Sequence, residues 1–241
     1  MVIRLPAMLP TQEESWRAVF EIYEALPHGW VLIGGQAVFL HAVERGSATP
    51  RATTDADVGL DIRTYPQHLR TFTSTLLRLG FKPQGESLAG HQHRWIRANA
   101  VVDVLIPRFT GERSEKRPGA TGGTTIASPA TQQAVRQSET VDVMAGDSFG
   151  KVNRPTIMGA LIGKAAPLEI VDDPGRERHV IDFLTLAAVV TTRDLRGYDD
   201  DPASRRHLSN MLGNLANRPA WMALLPEAAN GVKRLRISLR S

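Results

Sequence analysis

The sequence predicts an α+β fold in two parts, with strands and helices together over residues 1–154 and a helical domain over residues 155–241. Three observations support this prediction. Short apolar or alternating runs, typical of strands, are interspersed with helical periodicity in the first part. The pair Gly34–Gly35 closes one of these apolar runs and begins a helix. After Pro155 the apolar spacing becomes that of helices alone.

Start and stop signals bound the elements of the first part. Thr11 and Glu14 form a capping-box pattern at the start of a helix. Pro66 suits the first turn of a second helix, and Gly80 suits its end. The predicted elements are, in order, a helix ending near 27–29, a strand over 30–33, a helix over 35–45, a strand over 56–62, a helix over 66–79, and strands over 81–87, 93–97 and 100–106.

A turn-rich segment over 108–125 separates these elements from the rest of the chain. It contains five glycines or prolines and almost no large apolar residue, so we expect a mobile loop or a linker. A hairpin around Gly146 follows, with strands over 140–144 and 149–152. Helices are then predicted over 155–165, 177–192, 202–217 and from 219 onward.

The composition limits what kind of protein this chain can be. It contains no cysteine, which excludes disulfides, thiolate nucleophiles and cysteine-bound zinc. The apolar run over 180–190 contains Asp182 and is too short to span a bilayer, and the N-terminal residues do not resemble a signal peptide. We therefore expect a soluble cytoplasmic protein with no membrane contact. The formal net charge of +4 favours a polyanionic partner without requiring one.

Asp55 and Asp57 are the first residues that point to a chemistry. They stand one residue apart on an alternating, strand-like stretch, so their side chains share one face. Two carboxylates on one face repel each other unless a cation lies between them. The nearby pair Gly34–Gly35 offers backbone N–H groups to a phosphate at the start of its helix. Together these features predict a metal–nucleotide site, although an Asp-x-Asp pair alone is common in turns.

Asp103 is the third acid of the predicted site. It interrupts an apolar strand, where a carboxylate is costly unless it is paired or bound to metal. If this strand neighbours that of Asp55 and Asp57, three carboxylates converge on a site suited to Mg²⁺ or Mn²⁺. Two such ions can hold the attacking and leaving oxygens of a phosphoryl transfer. The alternative for Asp103 alone is a buried acid paired with an arginine.

One stretch resembles the first motif of the polymerase-beta-type nucleotidyltransferase superfamily, and it reads GGQAVFLHAVERGSATPRATTDADV. That motif is a glycine followed by Gly or Ser, then a helix, then Asp-x-Asp. Gly35 stands where many members have serine, so a hydroxyl contact to phosphate is lost. The longer form, with His41, Arg51, Thr53 and Thr54, resembles the AbiEii-like branch, which includes type IV abortive-infection toxins and the MenT toxins. The resemblance implies a mixed-sheet nucleotidyltransferase fold, nucleotide binding by Gly34, Gly35, Arg51, Thr54 and Lys164, and metal binding by Asp55, Asp57 and Asp103.

A second block resembles the same branch and runs from Pro155 through ALIGKAA to RERHVIDFLTL. The branch typically carries a lysine on one helix and an aspartate on the next, which correspond here to Lys164 and Asp182. A lysine near the triphosphate would neutralise charge developing on the pyrophosphate, whereas a structural lysine would extend along its helix to solvent. Asp182 would orient Lys164 or contact the nucleotide. Its alternative is an ion pair with Arg176 or Arg178.

Further residues have interpretations that the sequence leaves open. His41 lies inside the glycine-led helix and is expected to pack or form a hydrogen bond. Arg51 would either contact phosphate or fix the loop before Asp55. Two basic groups could track nucleic acid, although the first could be a solvated linker and the second the charges that favour a helix C-terminus. They are Arg108, Arg113, Lys116 and Arg117 in the turn-rich segment, and Lys233, Arg234, Arg236 and Arg240 in the C-terminal tail.

The expected activity is the metal-dependent transfer of a nucleoside monophosphate from an NTP to an acceptor hydroxyl. The resemblance implies the 3′ end of a tRNA, or another RNA, as the acceptor, and a toxin restrained by an antitoxin protein. One alternative is an aminoglycoside-type enzyme, whose cationic acceptor would require an acidic pocket; the acidic run 199–201 is the candidate. A third enzyme would modify a protein hydroxyl. The non-catalytic alternative is a nucleotide- or RNA-binding module with a decayed site.

Overall fold

The computed structural model describes residues 1–47, 53–85, 90–108, 110–170, 175–196 and 201–239. It confirms the α+β prediction, because mixed sheets occupy the first part and helices the second. The strands are β1 (Val2–Arg4), β2 (Trp30–Ile33), β3 (Asp55–Leu60), β4 (Lys82–Pro83), β5 (Arg94–Arg97), β6 (Ala100–Pro107), β7 (Ile126–Ser128), β8 (Ser138–Ala145) and β9 (Ser148–Pro155). The helices are α1 (Pro10–Ala25), α2 (Gly34–Glu44), α3 (His68–Arg78), α4 (Glu112–Glu115), α5 (Thr131–Arg136), α6 (Ile157–Ala165), α7 (Arg176–Val189), α8 (Pro202–Asn217), α9 (Pro219–Ala223) and α10 (Ala229–Ser238).

The larger sheet has the strand order β2-β3-β6-β5-β4, with β7 also beside β6. β3 and β6 run parallel, whereas β2 is antiparallel to β3 and β5 is antiparallel to β6. A two-residue turn at Ala98 and Asn99 joins β5 to β6, and Ala98 has the positive φ of 50° that such tight turns need. This short turn fixes which residues of the two strands face each other.

The smaller sheet has the order β1-β8-β9. β8 and β9 form the predicted hairpin, which turns at Gly146 and Asp147, and Gly146 has a φ of 54°. β1 runs parallel to β8 on the other side, so that Arg4 pairs with Met144. The hairpin prediction is therefore confirmed, and its strands are longer than expected.

Two hydrophobic clusters fill the molecule. The first joins the sheets to α1 and α3 and includes Trp16, Phe72 and Trp95. The second lies among α6, α7, α8 and α10. Val38 of α2 and Ala130 before α5 belong to the second cluster although they precede residue 155, so α2 connects the two parts. In the portion of the chain that the structure describes, no helix is long and apolar enough to cross a membrane.

The turn-rich segment packs against the first part of the molecule instead of leading away from it. Its backbone at Ala120 donates to Thr73 Oγ1 of α3 at 2.8 Å, and Arg117 donates to the carbonyl of Pro66 at 2.7 Å. Thr124 accepts from the backbone of Gln92 at 2.8 Å. The segment connects β6 to β7, which are neighbours in one sheet. It is therefore a loop within one sheet and not a linker between domains.

The predicted capping box at the first helix is wrong. α1 begins at Pro10, so Thr11 already lies inside the helix. The backbone N–H of Leu9 donates instead to Gln12 Oε1 at 3.0 Å, and Pro10 occupies the first helical position. Proline lacks the N–H that the first turn leaves unpaired, which is why the helix begins there.

Candidate active site

The three predicted acids lie on two adjacent strands of the larger sheet. Asp57 of β3 and Asp103 of β6 are directly paired in the parallel register. Asp55 and Asp57 are half-buried while Ala56 between them is fully buried, so the two acids share one face of β3. The strands that carry the acids are therefore neighbours, which is the condition for the three side chains to converge.

Gly34 lies against the carboxylate of Asp57. Its φ is +70°, and an ideal Cβ built on it would lie 1.8 Å from Asp57 Oδ2. Any side chain at this position would therefore overlap the acid. Gly35 follows in the first turn of α2, and Ile33, the residue before the helix, provides no side-chain cap. The start of α2, where the first N–H groups have no partner within the helix, therefore lies beside the Asp57 carboxylate.

Arg94 of β5 holds two of the three acids together. Its Nε donates to Asp103 Oδ1 at 2.8 Å and its Nη2 to Asp103 Oδ2 at 2.6 Å. The same Nη2 lies 3.2 Å from Asp55 Oδ2. The hydrogen bonds to Asp103 raise the pKa of Arg94. The alternative interpretation of Asp103 as a buried acid paired with an arginine thus describes this state of the molecule, and sequence reasoning did not single out Arg94.

The carboxylate oxygens of this cluster are suitable ligands for a divalent cation. Carboxylate oxygens are the ligands that Mg²⁺ and Mn²⁺ prefer, and Arg94 shows that Asp55 and Asp103 converge closely enough to share one cationic group. Over the described ranges, however, no set of three His, Asp or Glu side chains is arranged to bind a metal ion as it stands. Since Arg94 engages Asp103 at two points, the pair Asp55 and Asp57 on β3 is the better candidate to hold such an ion in this conformation.

Lys164 and Asp182 form a buried ion pair beside the first motif. Lys164 Nζ on α6 donates to Asp182 Oδ2 on α7 at 2.7 Å, and the two residues are 8% and 5% exposed. Lys164 therefore does not extend to solvent as a snorkelling lysine would. If Asp182 orients Lys164, the two side chains must be in contact, and they are.

A single cleft joins these two groups of residues. Its lining includes Gly34 and Asp57 from the first motif, together with Lys164 and His179 from α6 and α7. The rest of its wall is mostly apolar and includes Ile33, Ala37, Leu105, Pro129, Ala130 and Ala160. Such a cleft, apolar with a few polar groups, matches the usual character of a small-molecule site. Asp57 belongs both to this cleft and to the acidic cluster, so the two motifs face one site.

The remaining predicted site residues are placed as follows. Thr54 is exposed and its Oγ1 donates to Asp55 Oδ1 at 3.0 Å. Arg51 lies outside the described residues. His41 is buried on α2, and its Nε2 donates to the carbonyl of Pro155 at 3.0 Å. Burial and the nearby Arg154 lower the pKa of His41 to about 3, so the ring is neutral and serves the packing of α2.

Comparisons with known proteins bear on the fold. No family model matches the chain, and no curated protein matches it. The crystal structure of an antigenic nucleotidyltransferase-like protein from Paracoccidioides brasiliensis has a TM-score of 0.51 and 12% sequence identity, over 87% of this chain and 93% of that chain. At this identity the match shows likeness of fold alone. This chain therefore has a nucleotidyltransferase-like fold, with helices after its sheets.

Proposed function

We propose that this chain is a metal-dependent nucleotidyltransferase that transfers a nucleoside monophosphate from an NTP to an acceptor hydroxyl. The observation that carries the proposal is the single cleft that contains Gly34, Asp57 and Lys164. These residues are far apart in sequence, and they combine a helix start that the side chain of Ile33 does not cap, an acid and a buried lysine. A triphosphate with its divalent counter-ion carries the complementary charges: anionic oxygens for the helix start and the lysine, and a cation for the acid.

The phosphates would bind between α2 and α6. Backbone N–H groups at Gly34 and Gly35 donate to phosphate oxygens, helped by the positive end of the α2 dipole. Lys164 neutralises the charge that grows on the departing pyrophosphate. Asp182 orients Lys164, since it holds the ammonium group at 2.7 Å. The apolar wall of the cleft excludes water from the base and sugar.

The acidic cluster would hold the metal ion beside the α-phosphorus at which the transfer takes place. When bound, Mg²⁺ or Mn²⁺ supplies positive charge to the α-phosphate, and Asp55 and Asp57 are the residues that would hold it. The acceptor oxygen bonds to the α-phosphorus, the bond from that phosphorus to the bridging oxygen breaks, and pyrophosphate leaves with the electron pair. The hydroxyl proton passes to Asp103, which can accept it only after its contact with Arg94 has loosened.

The acceptor that we propose is the 3′ end of a tRNA. The support is the family resemblance of the two motifs together with the net charge of +4, which favours a polyanion. The physiological role that accompanies this proposal is that of a toxin restrained by an antitoxin protein. Both the acceptor and the role rest on the resemblance and not on the geometry of the cleft.

The aminoglycoside-type alternative has less support than it had from the sequence. It requires an acidic pocket, for which the run 199–201 was the candidate. Asp201 caps α8, because its side chain accepts from the backbone N–H groups of Ala203 and Ser204 at 2.9 and 3.0 Å. Residues 199 and 200 lie outside the described residues. A capping aspartate is committed to its helix and does not supply a pocket.

Transfer can be tested with purified protein, Mg²⁺ or Mn²⁺, each labelled NTP in turn, and total tRNA. The expected result is label in RNA, together with release of pyrophosphate. Parallel reactions contain an aminoglycoside or a protein acceptor in place of tRNA. Label that enters only those acceptors would overturn the tRNA assignment, and NTP binding with no transfer to any acceptor would support the non-catalytic module.

Matched acid variants connect the activity to the cluster. Asp55→Ala/Asp57→Ala should abolish transfer while the protein stays folded, because removing adjacent negative charges relieves their repulsion. Asp142→Ala removes an acid from the smaller sheet, where Asp142 pairs with Lys151 on the surface, and should leave transfer unchanged. Full activity in the double variant would contradict the roles given to Asp55 and Asp57.

A further inference from the structure

The pairing of Arg94 with Asp103 is set by the backbone. The two-residue turn at Ala98 and Asn99 aligns the hairpin so that Arg94 and Asp103 are directly opposite each other. Opposite charges in directly facing positions of an antiparallel pair attract across the short distance between strands. The contact therefore follows from the register of β5 and β6, and it does not depend on a chance side-chain orientation.

The two acids that touch Arg94 hold it unequally. Asp103 is 8% exposed and receives two hydrogen bonds from the guanidinium, the two-point geometry that arginine forms best with a carboxylate. Asp55 receives one longer contact of 3.2 Å, and both side chains of that pair are nearly two-fifths exposed. Exposed single-point pairs contribute little. Arg94 therefore releases Asp55 easily and Asp103 with difficulty.

The consequence concerns how many divalent ions the site can bind, and it rests on the proposed metal-dependent function. A divalent cation at Asp103 would lie beside the guanidinium and be repelled by it. We propose that Arg94 acts as an internal counter-cation for Asp103 and so prevents this acid from binding a metal ion. The resting site then binds one divalent ion, at Asp55 and Asp57, and admits a second only when Arg94 has left Asp103.

This arrangement gives Arg94 a positioning role. While it holds Asp103, the acid is neither a metal ligand nor an effective base, so the site is incomplete for the transfer step. Arg94 also prevents Asp103 from standing buried without a partner, which would be costly. The same residue thus stabilises the resting state and delays full metal occupancy.

The proposal is tested by counting Mn²⁺ ions on the full-length protein without NTP or acceptor, using electron paramagnetic resonance and calorimetry. Wild type should bind one ion. Arg94→Gln, which keeps a hydrogen-bond donor but removes the charge, should bind a second ion at least about tenfold more tightly than wild type does. The matched control is Arg97→Gln, because Arg97 lies on the same strand and pairs with Glu21 outside the cluster. It should bind like wild type.

Asp103→Asn in the Arg94→Gln background should remove the gained ion, since the new ligand is gone. If Arg94→Gln fails to fold, Arg94→Lys keeps the charge without the two-point contact and should bind the second ion with intermediate affinity. Equal Mn²⁺ binding by wild type, Arg94→Gln and Arg94→Lys, or a gained ion that persists in the Arg94→Gln/Asp103→Asn double variant, would overturn the proposal. Because the count needs no substrate, a failed transfer assay leaves it standing, whereas no Mn²⁺ binding in any variant would overturn this proposal.

Discussion

Gly34 shows how one residue type can be fixed by the position of another. A Cβ at this glycine would lie 1.8 Å from Asp57 Oδ2, and the backbone also has a φ of +70°. Two separate costs therefore exclude other residues, namely the strain of positive φ and a direct overlap with an acid of the site. The glycine of the first motif is needed for the approach of the helix start to Asp57.

Gly34→Ala should lower the free energy of unfolding by about 2–4 kcal/mol and abolish nucleotide binding, because both costs apply. Gly46 provides the matched control: its φ is +68°, but a Cβ added there would meet no atom within 4 Å. Gly46→Ala should cost only about 1 kcal/mol. Urea unfolding of both variants separates the overlap from the backbone strain. Equal losses would show that the contact with Asp57 does not matter.

The buried ring of His41 should make the free energy of unfolding depend on pH. Burial and Arg154 lower its pKa to about 3 in the folded protein, against about 6.5 when it is unfolded. Between these values the unfolded chain takes up a proton that the folded chain does not, so stability falls as the pH falls from about 6.5 toward 3. The slope from this residue is at most about 1.4 kcal/mol per pH unit.

Urea unfolding at pH 7, 5.5 and 4.5 measures this slope. His41→Gln should reduce it, whereas replacing the exposed His28 by Gln should leave it almost unchanged. His68 contributes in the same direction, since burial lowers its pKa as well. The slope of the His41 variant should therefore become smaller without vanishing. An unaltered slope would mean that the His41 ring is protonated in the folded state.

At the scale of elements, the sequence predicted most of the strands and the main helices, but not their long-range contacts. It missed the short elements β1, β7, α4 and α5, and it made β4 longer than its two residues. Alternation and apolar runs are local signals, so the strands of Asp57 and Asp103 could be found. The short turn at Ala98 and Asn99 also implies the register that pairs Arg94 with Asp103, so Arg94 could have been found by counting back from the turn. The pairing of Lys164 with Asp182 depends on how two helices cross, which local patterns do not encode.

The Lys164–Asp182 pair should couple α6 to α7 strongly. Lys164→Met leaves a buried carboxylate without its ammonium partner and should destabilise the protein by about 3–5 kcal/mol. Lys164→Met/Asp182→Leu should lose much less than the sum of the single changes. The exposed pair Lys151–Asp142 is the control and should show no measurable coupling. Additive losses in the buried pair, measured by a double-mutant cycle, would contradict this expectation.

At the scale of the whole molecule, α2 connects the two parts. Its first residue faces the acids, while Val38 lies in the hydrophobic cluster of the helical part. Loss of packing in either part therefore disturbs the cleft between them. The two parts are expected to unfold together, even though the sequence pattern changes near residue 155.

Two spectroscopic probes can test this cooperativity. Trp16, Trp30 and Trp95 are buried in the first cluster, and Trp221 packs on the second. In a Trp221→Phe variant, fluorescence reports the first part alone, while far-UV circular dichroism reports the helices of both parts. Coincident urea transitions are expected. Two separated transitions would show that α2 does not couple the parts.

The parallel pairing of β1 with β8 has a consequence for synthesis of the chain on the ribosome. Arg4 pairs with Met144, so the first strand has no partner until that distant residue has emerged. At typical translation speeds this interval lasts roughly ten to thirty seconds. Throughout it, β1 is exposed to chaperones and proteases as an unpaired strand, and a stalled chain that ends before the β8–β9 hairpin would leave β1 without its sheet partner.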